Sequence, residues 1–324
     1  MRSPLSTRPA NFPHLMASAM PEEAGALRQA GRFGTARQAI AALSASFREA
    51  GLPTPELDAR LLVLEACQMS PEDYMLRPET PVRAVEAELI GGFEARRIAR
   101  EPVSRILGYR EFWGRRFAIG PAVLDPRPDT ETLIEATLAL TGASHGEEPL
   151  RILDLGTGSG CVLLTLLAEM PRAWGIGSDI SAQALDLARL NAERLGVGSR
   201  AAFVQSDWAA TFSGPFGLII SNPPYIEGAG MDILGDEVRC HDPEIALDGG
   251  ADGFAGYRRI IEDCARIAVP DAWVMLEVGK GKAPEVTDLF RKAGWLIEPD
   301  LHKVFQDLAR IDRVVAVKRQ AGGR

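Results

Sequence analysis

The sequence predicts an α/β protein, in which a mostly parallel sheet carries helices on both faces and follows a small helical bundle and a β-hairpin. Three observations carry this. From Leu150 onward, short apolar β-branched runs alternate with segments of helical period, the pattern of strand–crossover–strand units. Between Thr35 and Gly108 the period is helical throughout, in pieces punctuated by Thr-Pro and Ser-Pro pairs. Between these regions, residues 109–125, YREFWGRRFAIGPAVLD, are aromatic and β-branched, with Gly114 and Gly120-Pro121 as turn signals. The expected organisation is a flexible tail over 1–34, a helical bundle over 35–108, a hairpin linker over 109–125 and the sheet domain over 126–324.

Bulk properties narrow the function. The chain has 324 residues, 46% hydrophobic and 25% charged, enough for about two domains. Its formal net charge of -8 argues against a protein whose main task is gripping nucleic-acid phosphates. Cys67, Cys161, Cys240 and Cys264 form no C-x-x-C pair, which points to free thiols in a reducing cytoplasm. No apolar run approaches the roughly 18 residues of a membrane span. The first twenty residues contain Arg2 and Arg8, several serines and no acid, but lack the amphipathic stripe of a transit peptide. With Met16 and Met20 following closely, the expectation is a disordered tail or an early start codon.

In the bundle, Thr35 is placed to cap a helix that buries Ile40, Leu43 and Phe47 and stops at Gly51. Thr54-Pro55 opens the next, with Leu57, Leu61 and Leu64 on one face. Ser70-Pro71 and Thr80-Pro81 repeat the cap-then-proline start, and the last helix carries Val82, Val85, Leu89 and Phe93. No catalytic constellation falls here; the bundle reads as a structural cap or as a surface that docks a partner. In the hairpin, Arg110, Arg115 and Arg116 form a basic cluster, either a solvated turn or an anchor for an acidic or RNA-bound partner.

The sheet domain then reads in order. Strands are expected at LRILDL (150–155), AWGIGSDI, AAFVQSDW, FGLIISN, AWVMLEV and RIDRVVAVKR. Helices are expected at CVLLTLLAEM (161–170), SAQALDLARLNAERLG, YRRIIEDCARI and APEVTDLFRKAG. In such sheets ligands bind at the carboxyl ends of the strands, and the unusual residues of this chain gather there.

The first strand runs into DLGTGSG, Asp154 to Gly160, whose glycines let backbone approach a ligand closely and turn into the helix. The spacing is G-x-G-x-G; the sixth position from Gly156 is Cys161, so the dinucleotide fingerprint is not met. A loop of this kind suits a ligand without a pyrophosphate. Asp179-Ile180 ends the second strand, where a carboxylate accepts from both hydroxyls of a ribose. Asp207-Trp208 ends the third: the acid suits an adenine amino group and the indole covers the ring face. Three successive strand ends thus describe a pocket for a nucleoside with a short, non-phosphate tail, which S-adenosylmethionine fits.

The fourth strand ends in SNPPYI, Ser221 to Ile226. Two prolines halt the strand in a fixed shape and remove ladder donors. The Asn222 side-chain carbonyl and the Pro223 main-chain carbonyl then form a pair of acceptors for an NH2 group. Holding both N–H bonds of a planar nitrogen aims its lone pair at a methyl donor and stabilises developing positive charge, without a strong base. Tyr225 is placed to stack on a planar substrate group, and Pro223-Pro224 fix the geometry in advance. His241 beside Cys240 has no third ligand at a metal-binding spacing.

DLGTGSG, SDI, QSDW and SNPPYI together are similar to class I S-adenosylmethionine-dependent methyltransferases that act on exocyclic or amide nitrogen. More narrowly, ILGYREFWGRRF, VLDPRPDTETLIE and PEIALDGGADGFAGYRRI resemble the HemK/PrmC family, the release factor glutamine methyltransferases, from about Thr35 to Val317. The resemblance implies a helical bundle joined by a hairpin to a seven-stranded methyltransferase sheet. It implies as substrate the glutamine of the Gly-Gly-Gln loop in class I peptide chain release factors, with no direct nucleic-acid partner and no membrane. By the same resemblance Gly156, Thr157, Gly158, Ser159, Gly160, Asp179, Trp208 and Asn222 bind S-adenosyl-L-methionine, and the strand-end reading adds Ile180 and Asp207 to that set. Asn222, Pro223, Pro224 and Tyr225 take the glutamine amide, with Asn222 and Pro223 catalytic, and Arg127-Pro128 shape the cofactor-side entrance. One departure is RCHDPE, where the family more often has an aromatic residue, Glu and Pro; here His241-Asp242 precede Pro243. Two other readings stand beside this one. A nucleic-acid methyltransferase acting on adenine N6 or guanine N2 would use the same Asn-Pro-Pro-Tyr, and a non-enzymatic, cofactor-binding translation partner would not need it.

Overall fold

A computed structural model describes residues 32–141 and 149–320, so most of the segment read as a tail lies outside the described residues. The chain divides into two compact units, one ending at Ile98 and one beginning at Ala99.

The first unit contains α1 (Ala36–Glu49), α2 (Pro55–Ala66), α3 (Pro71–Leu76) and α4 (Ala84–Ile98). The Thr35 hydroxyl accepts from the Gln38 N–H, capping α1, and Leu43 and Phe47 are fully buried while Ile40 is half-buried. Two helix faces differ from those expected. On α2, Leu57 and Leu61 are exposed, and Ala59, Leu62, Val63 and Ala66 face the core beside the buried Asp58. The reason is an ion pair: Arg97 on α4 donates to Asp58 at 2.8 Å with both side chains inside, so α2 turns its acid inward. On α4, helix formation waits until Ala84, because Thr35 and Pro81 pair as an isolated bridge. Glu86 accepts from the Arg83 N–H at 2.7 Å at this later start, and Ala87, Ile90 and Phe93 become the buried face.

The second unit opens with α5 (Val103–Leu107) and a hairpin of β1 (Tyr109–Phe112) and β2 (Arg115–Ala118). Trp113 and Gly114 both adopt positive φ, 51° and 66°, as a tight two-residue hairpin turn requires. Then follow α6 (Glu131–Thr141), β3 (Arg151–Leu155), α7 (Cys161–Glu169), β4 (Trp174–Asp179), α8 (Ala182–Arg194), β5 (Ala201–Gln205) and β6 (Phe216–Ser221). The chain closes with α9 (Asp236–His241), α10 (Ala255–Ile267), β7 (Ala268–Glu277), α11 (Ala283–Lys292), β8 (His302–Gln306) and β9 (Asp312–Lys318).

These strands form the expected seven-stranded sheet, in the order β5-β4-β3-β6-β7-β9-β8, with β9 antiparallel to both neighbours and the other pairs parallel. Successive residues of the central strands face opposite layers, both dry, which is why the strands read as unbroken apolar runs. Leu153, Leu155, Ile219, Val274 and Leu276 pack under α10 and α11, whereas Ile152, Leu218, Ile220 and Met275 pack under α6 and α7. Three elements of this unit's sheet region had no individual signal: α6, hidden behind Pro126 and Pro128, the short α9, and β8, a short polar edge strand. The chain leaves β3 toward β4 and β5, then returns to β6 on the other side. That reversal opens a crevice between the ends of β3 and β6.

Candidate active site

A cavity of about 380 Å³ occupies this crevice. Its walls take in Gly156, Thr157, Gly158 and Ser159 of the glycine loop, together with Asp179, Ile180, Asp207, Trp208, Asn222 and Pro224. Gly160, Pro223 and Tyr225 are not among its lining residues.

The glycine loop is shaped by backbone. Gly156, Gly158 and Gly160 all have positive φ, between 55° and 79°, where a side chain would be strained. A Cβ added to Gly158 would meet no atom within 4 Å and would project into open space. Gly160 caps α7, and a Cβ there would come within 2.9 Å of Leu164. The loop is pinned at several points. The Thr157 N–H donates to the Ser178 carbonyl at 2.8 Å and its hydroxyl to Asp154 at 2.7 Å. Burial pushes the Asp154 carboxyl up to about 7, with the Thr157 hydroxyl pulling it back.

Asp179 ends β4 as a pre-arranged acceptor. Its Oδ2 accepts from the Gly158 N–H and its Oδ1 from the Ser181 N–H, each at 2.9 Å. Burial raises its pKa and these amides pull it down. Trp208, at φ 50°, fills a slot between two glycines: a Cβ on Gly156 would lie 3.7 Å from Cζ3, and one on Gly256 3.3 Å from Cζ2.

At the end of β6 the Ser221 hydroxyl donates to the Leu155 carbonyl at 2.6 Å, tying the segment to the glycine-loop strand. The Asn222 Nδ2 donates to the Thr130 hydroxyl at 3.3 Å. Tyr225 is half-buried in the core cluster beneath α10, not laid over the cavity. Three glycines surround it: a Cβ on Gly249 would come within 2.8 Å of its Cα, one on Gly253 within 2.6 Å of its carbonyl oxygen, and one on Gly279 within 2.8 Å of its ring. The ALDGGADG loop therefore lets backbone close over the Pro-Pro-Tyr turn. Ile226 donates to the Leu247 carbonyl at 3.0 Å and accepts from the Gly249 N–H at 2.8 Å.

The side wall depends on residues that the sequence did not single out. Asn191 of α8 accepts from the Ala118 N–H at 2.7 Å and donates to the Ser159 carbonyl at 2.8 Å, joining hairpin to glycine loop. Asp242, at the family departure, is buried and accepts from Arg105 at 2.6 Å, from Arg127 and from the Asp125 N–H at 3.3 Å. Asp242 thus closes a double arginine clasp, and Arg127 is among the residues that line the cavity. Glu277 ends β7, 2% exposed, and burial pushes its carboxyl up to about 7. Its signal was present: an acid at the carboxyl end of an apolar strand, the criterion that found Asp179 and Asp207. The hairpin arginines are engaged internally. Arg115 pairs with Glu169 at 2.8 Å, Arg110 lies 3.9 Å from Asp125, and Arg116 stacks 4.4 Å above the Tyr109 ring.

The residues present suit S-adenosylmethionine: a cavity of nucleoside-plus-side-chain size, a strand-end carboxylate, an indole, and a glycine cradle that a single Cβ would obstruct.

Residues 38–108 match the family model described as the PrmC N-terminal domain, and residues 133–238 match the methyltransferase small domain. A release factor glutamine methyltransferase of Bradyrhizobium diazoefficiens is 43% identical over 277 residues, covering 86% of this chain and 92% of that protein. Another, of Rhodospirillum rubrum, is 45% identical, covering 85% of this chain and 82% of that protein. Among solved structures, the hMettl16 catalytic domain, crystallised with a MAT2A 3′UTR hairpin, superposes with a TM-score of 0.54 at 16% identity. It covers 71% of this chain and 83% of that one, a likeness of fold.

Proposed function

The chain belongs to the release factor glutamine methyltransferase family, and from that premise we propose that it methylates the side-chain amide nitrogen of the Gly-Gly-Gln glutamine in class I release factors. The observation that carries this reading is Asn222 on the cavity wall, its NH2 turned back to Thr130. An amide anchored by its nitrogen presents its oxygen to a ligand, which suits a substrate NH2 and not an acid or a hydroxyl anion.

Bound S-adenosyl-L-methionine supplies an electrophilic methyl on a sulfonium. The chain's own residues do the rest. Asp179 accepts from the ribose hydroxyls, with its carboxylate already oriented by the Gly158 and Ser181 amides. Ile180 and Trp208 offer apolar surface to the adenine, and Asp207 an acceptor for its amino group. Asn222 Oδ1 and the Pro223 carbonyl hold the two N–H bonds of the glutamine amide, drawing its nitrogen out of conjugation. No backbone N–H among the described residues donates to the Pro223 carbonyl, which keeps that oxygen available. Charge developing on the nitrogen meets two carbonyl dipoles that need no reorganisation. The proton is lost after methylation, when the nitrogen has become acidic. Tyr225 supports this arrangement from behind the turn.

The helical unit, with Leu57, Leu61, Met75, Leu76 and Val85 exposed, is the part we read as docking the protein substrate. A cytoplasmic setting follows from a substrate that works in translation, and no helix among the described residues is long and apolar enough to cross a membrane. No observation favours the nucleic-acid amine: the hairpin arginines already have acidic or aromatic neighbours.

The test is mass spectrometry of a release factor incubated with enzyme and S-adenosylmethionine. One added methyl on the Gly-Gly-Gln glutamine is expected, and an unmodified peptide overturns the reading.

A further inference from the structure

Parallel pairing of β6 with β7 sets Ser221 opposite Leu276, so the next residues are neighbours: Asn222, just past β6, and Glu277, the last residue of β7. Glu277 is an unusual residue to find there. It is 2% exposed, and its Oε2 has no hydrogen-bond partner among the described residues. Groups that could have neutralised it are directed elsewhere. Arg313 on β9 pairs with Asp129 at 2.6 Å and with Asp307 at 2.8 Å. The Tyr257 hydroxyl on α10 donates to the main-chain carbonyl of Glu277 at 3.0 Å, not to its carboxylate. Thr130 and Asn222 stand beside the carboxyl as hydrogen-bonding neighbours that lower its pKa against the dominant effect of burial.

Among the described residues, one N–H of the Asn222 amide is given to the Thr130 hydroxyl. The same amide is a hydrogen-bonding neighbour of the Glu277 carboxyl, whose Oε2 has no settled partner. We propose that Glu277 is a positioning residue: its carboxylate takes the second N–H of Asn222, locks the amide with Oδ1 toward the cavity, and polarises that oxygen toward the substrate nitrogen. The inference rests on the glutamine-amide reading for its catalytic meaning. An amide's two ends are interchangeable in shape, so only the chemistry of its neighbours fixes which end faces the ligand. The Thr130 hydroxyl, which can donate as well as accept, holds the observed orientation only weakly. An acceptor-only carboxylate fixes it. Its negative charge behind Asn222 also favours the positive charge that grows on the nitrogen, in a site where low dielectric strengthens such effects.

Burial, the largest effect, and Asp129 oppose the charged form of Glu277, while the Thr130 and Asn222 side chains and Arg313 of β9 favour it; Cys161 of α7, Tyr225 and Tyr257 of α10 are the other ionisable groups that feel its charge. With the carboxyl near pH 7, kcat should rise as pH climbs through about 7 and the carboxylate forms.

Two measurements test this. Side-chain 15N–1H spectra, with Asn222 assigned from its loss in Asn222→Ala, should show its NH2 resonances titrating near neutrality, and Glu277→Gln should abolish that titration. A pH-independent Asn222 amide in the unsubstituted protein overturns the proposal. In parallel, Glu277→Gln should lower kcat by about tenfold or more and remove its rise with pH. Affinity for S-adenosylhomocysteine should stay within about twofold, because Glu277 acts on the amide and not on the cofactor. Glu277→Met, apolar and of similar volume, should fold at least as well as the parent and lose more activity than Glu277→Gln. Unchanged kcat and pH profile in either variant overturn the proposal, as does a loss that only follows loss of folded protein. If the unsubstituted enzyme leaves the glutamine unmethylated, the functional reading falls, and the Asn222 titration still decides this one.

Discussion

At the ends of β3 and β4 the cavity is walled by backbone. Three glycines with positive φ shape the loop, and both oxygens of Asp179 take main-chain amides. At the ends of β6 and β7 it is walled by side chains. Asn222 leans on a hydroxyl at 3.3 Å, and Glu277 keeps an oxygen unpartnered in the core. The first arrangement is saturated, the second left with unused hydrogen-bonding capacity. A site that only has to hold a ligand can satisfy every group in advance. A site that must act on a nitrogen keeps acceptors open for it and accepts a loss of stability in return.

The sharpest way to break this contrast is Asn222→Ala. It should reduce kcat by roughly 10²–10³-fold, a much larger factor than the accompanying loss of S-adenosylhomocysteine affinity measured by calorimetry. Equal losses in both would show that the two sides are not separable, and cellular function left intact by a variant that no longer transfers methyl groups would favour the non-enzymatic reading. Next is Asp242→Ala. Removing one partner of a buried charge cluster costs about 3 kcal/mol, measured by urea unfolding, since Arg105 is left inside without its carboxylate. A change below about 0.5 kcal/mol would mean that the clasp is decorative. The smallest effect is expected on the saturated side. Asp179→Ala should weaken cofactor affinity by about ten- to a hundredfold, the worth of charge-assisted hydrogen bonds, with kcat at saturating cofactor close to that of the parent. A large fall in kcat would place Asp179 in the chemistry after all.

Legibility in the sequence follows the same division. The glycine loop, the strand-end acids and Asn222-Pro223-Pro224 were readable because each is a local pattern whose chemistry lies within a few residues. Thr130, Asn191 and Asp242 matter through partners far away in the chain, which only the fold brings near, whereas Glu277 met the strand-end criterion and was passed over. Asp242 is 137 residues from Arg105, and no local period announces such a pairing. The two misread helix faces fail for a related reason. The α2 sequence has leucines on all sides, so the buried Asp58–Arg97 pair decides which face turns in. In α4 the helix starts at Ala84, so Val82 lies outside it, and the buried Glu86, Glu94 and Arg97 mark the inward face that Ala87, Ile90 and Phe93 share. Tyr225 looked like an aromatic lid because its neighbours are functional. Its ring lies against Gly279 instead, while Gly249 and Gly253 crowd its backbone.

The slot that holds Trp208 has an optical consequence. An indole confined between two glycines has little freedom to shift away when a flat ring arrives, so its surroundings change from solvent-facing to stacked. Of the five tryptophans in the chain, Trp208 is the one on the cavity wall. The protein therefore carries an intrinsic fluorophore at the point where the adenine would be received, and its emission is a label-free gauge of occupancy.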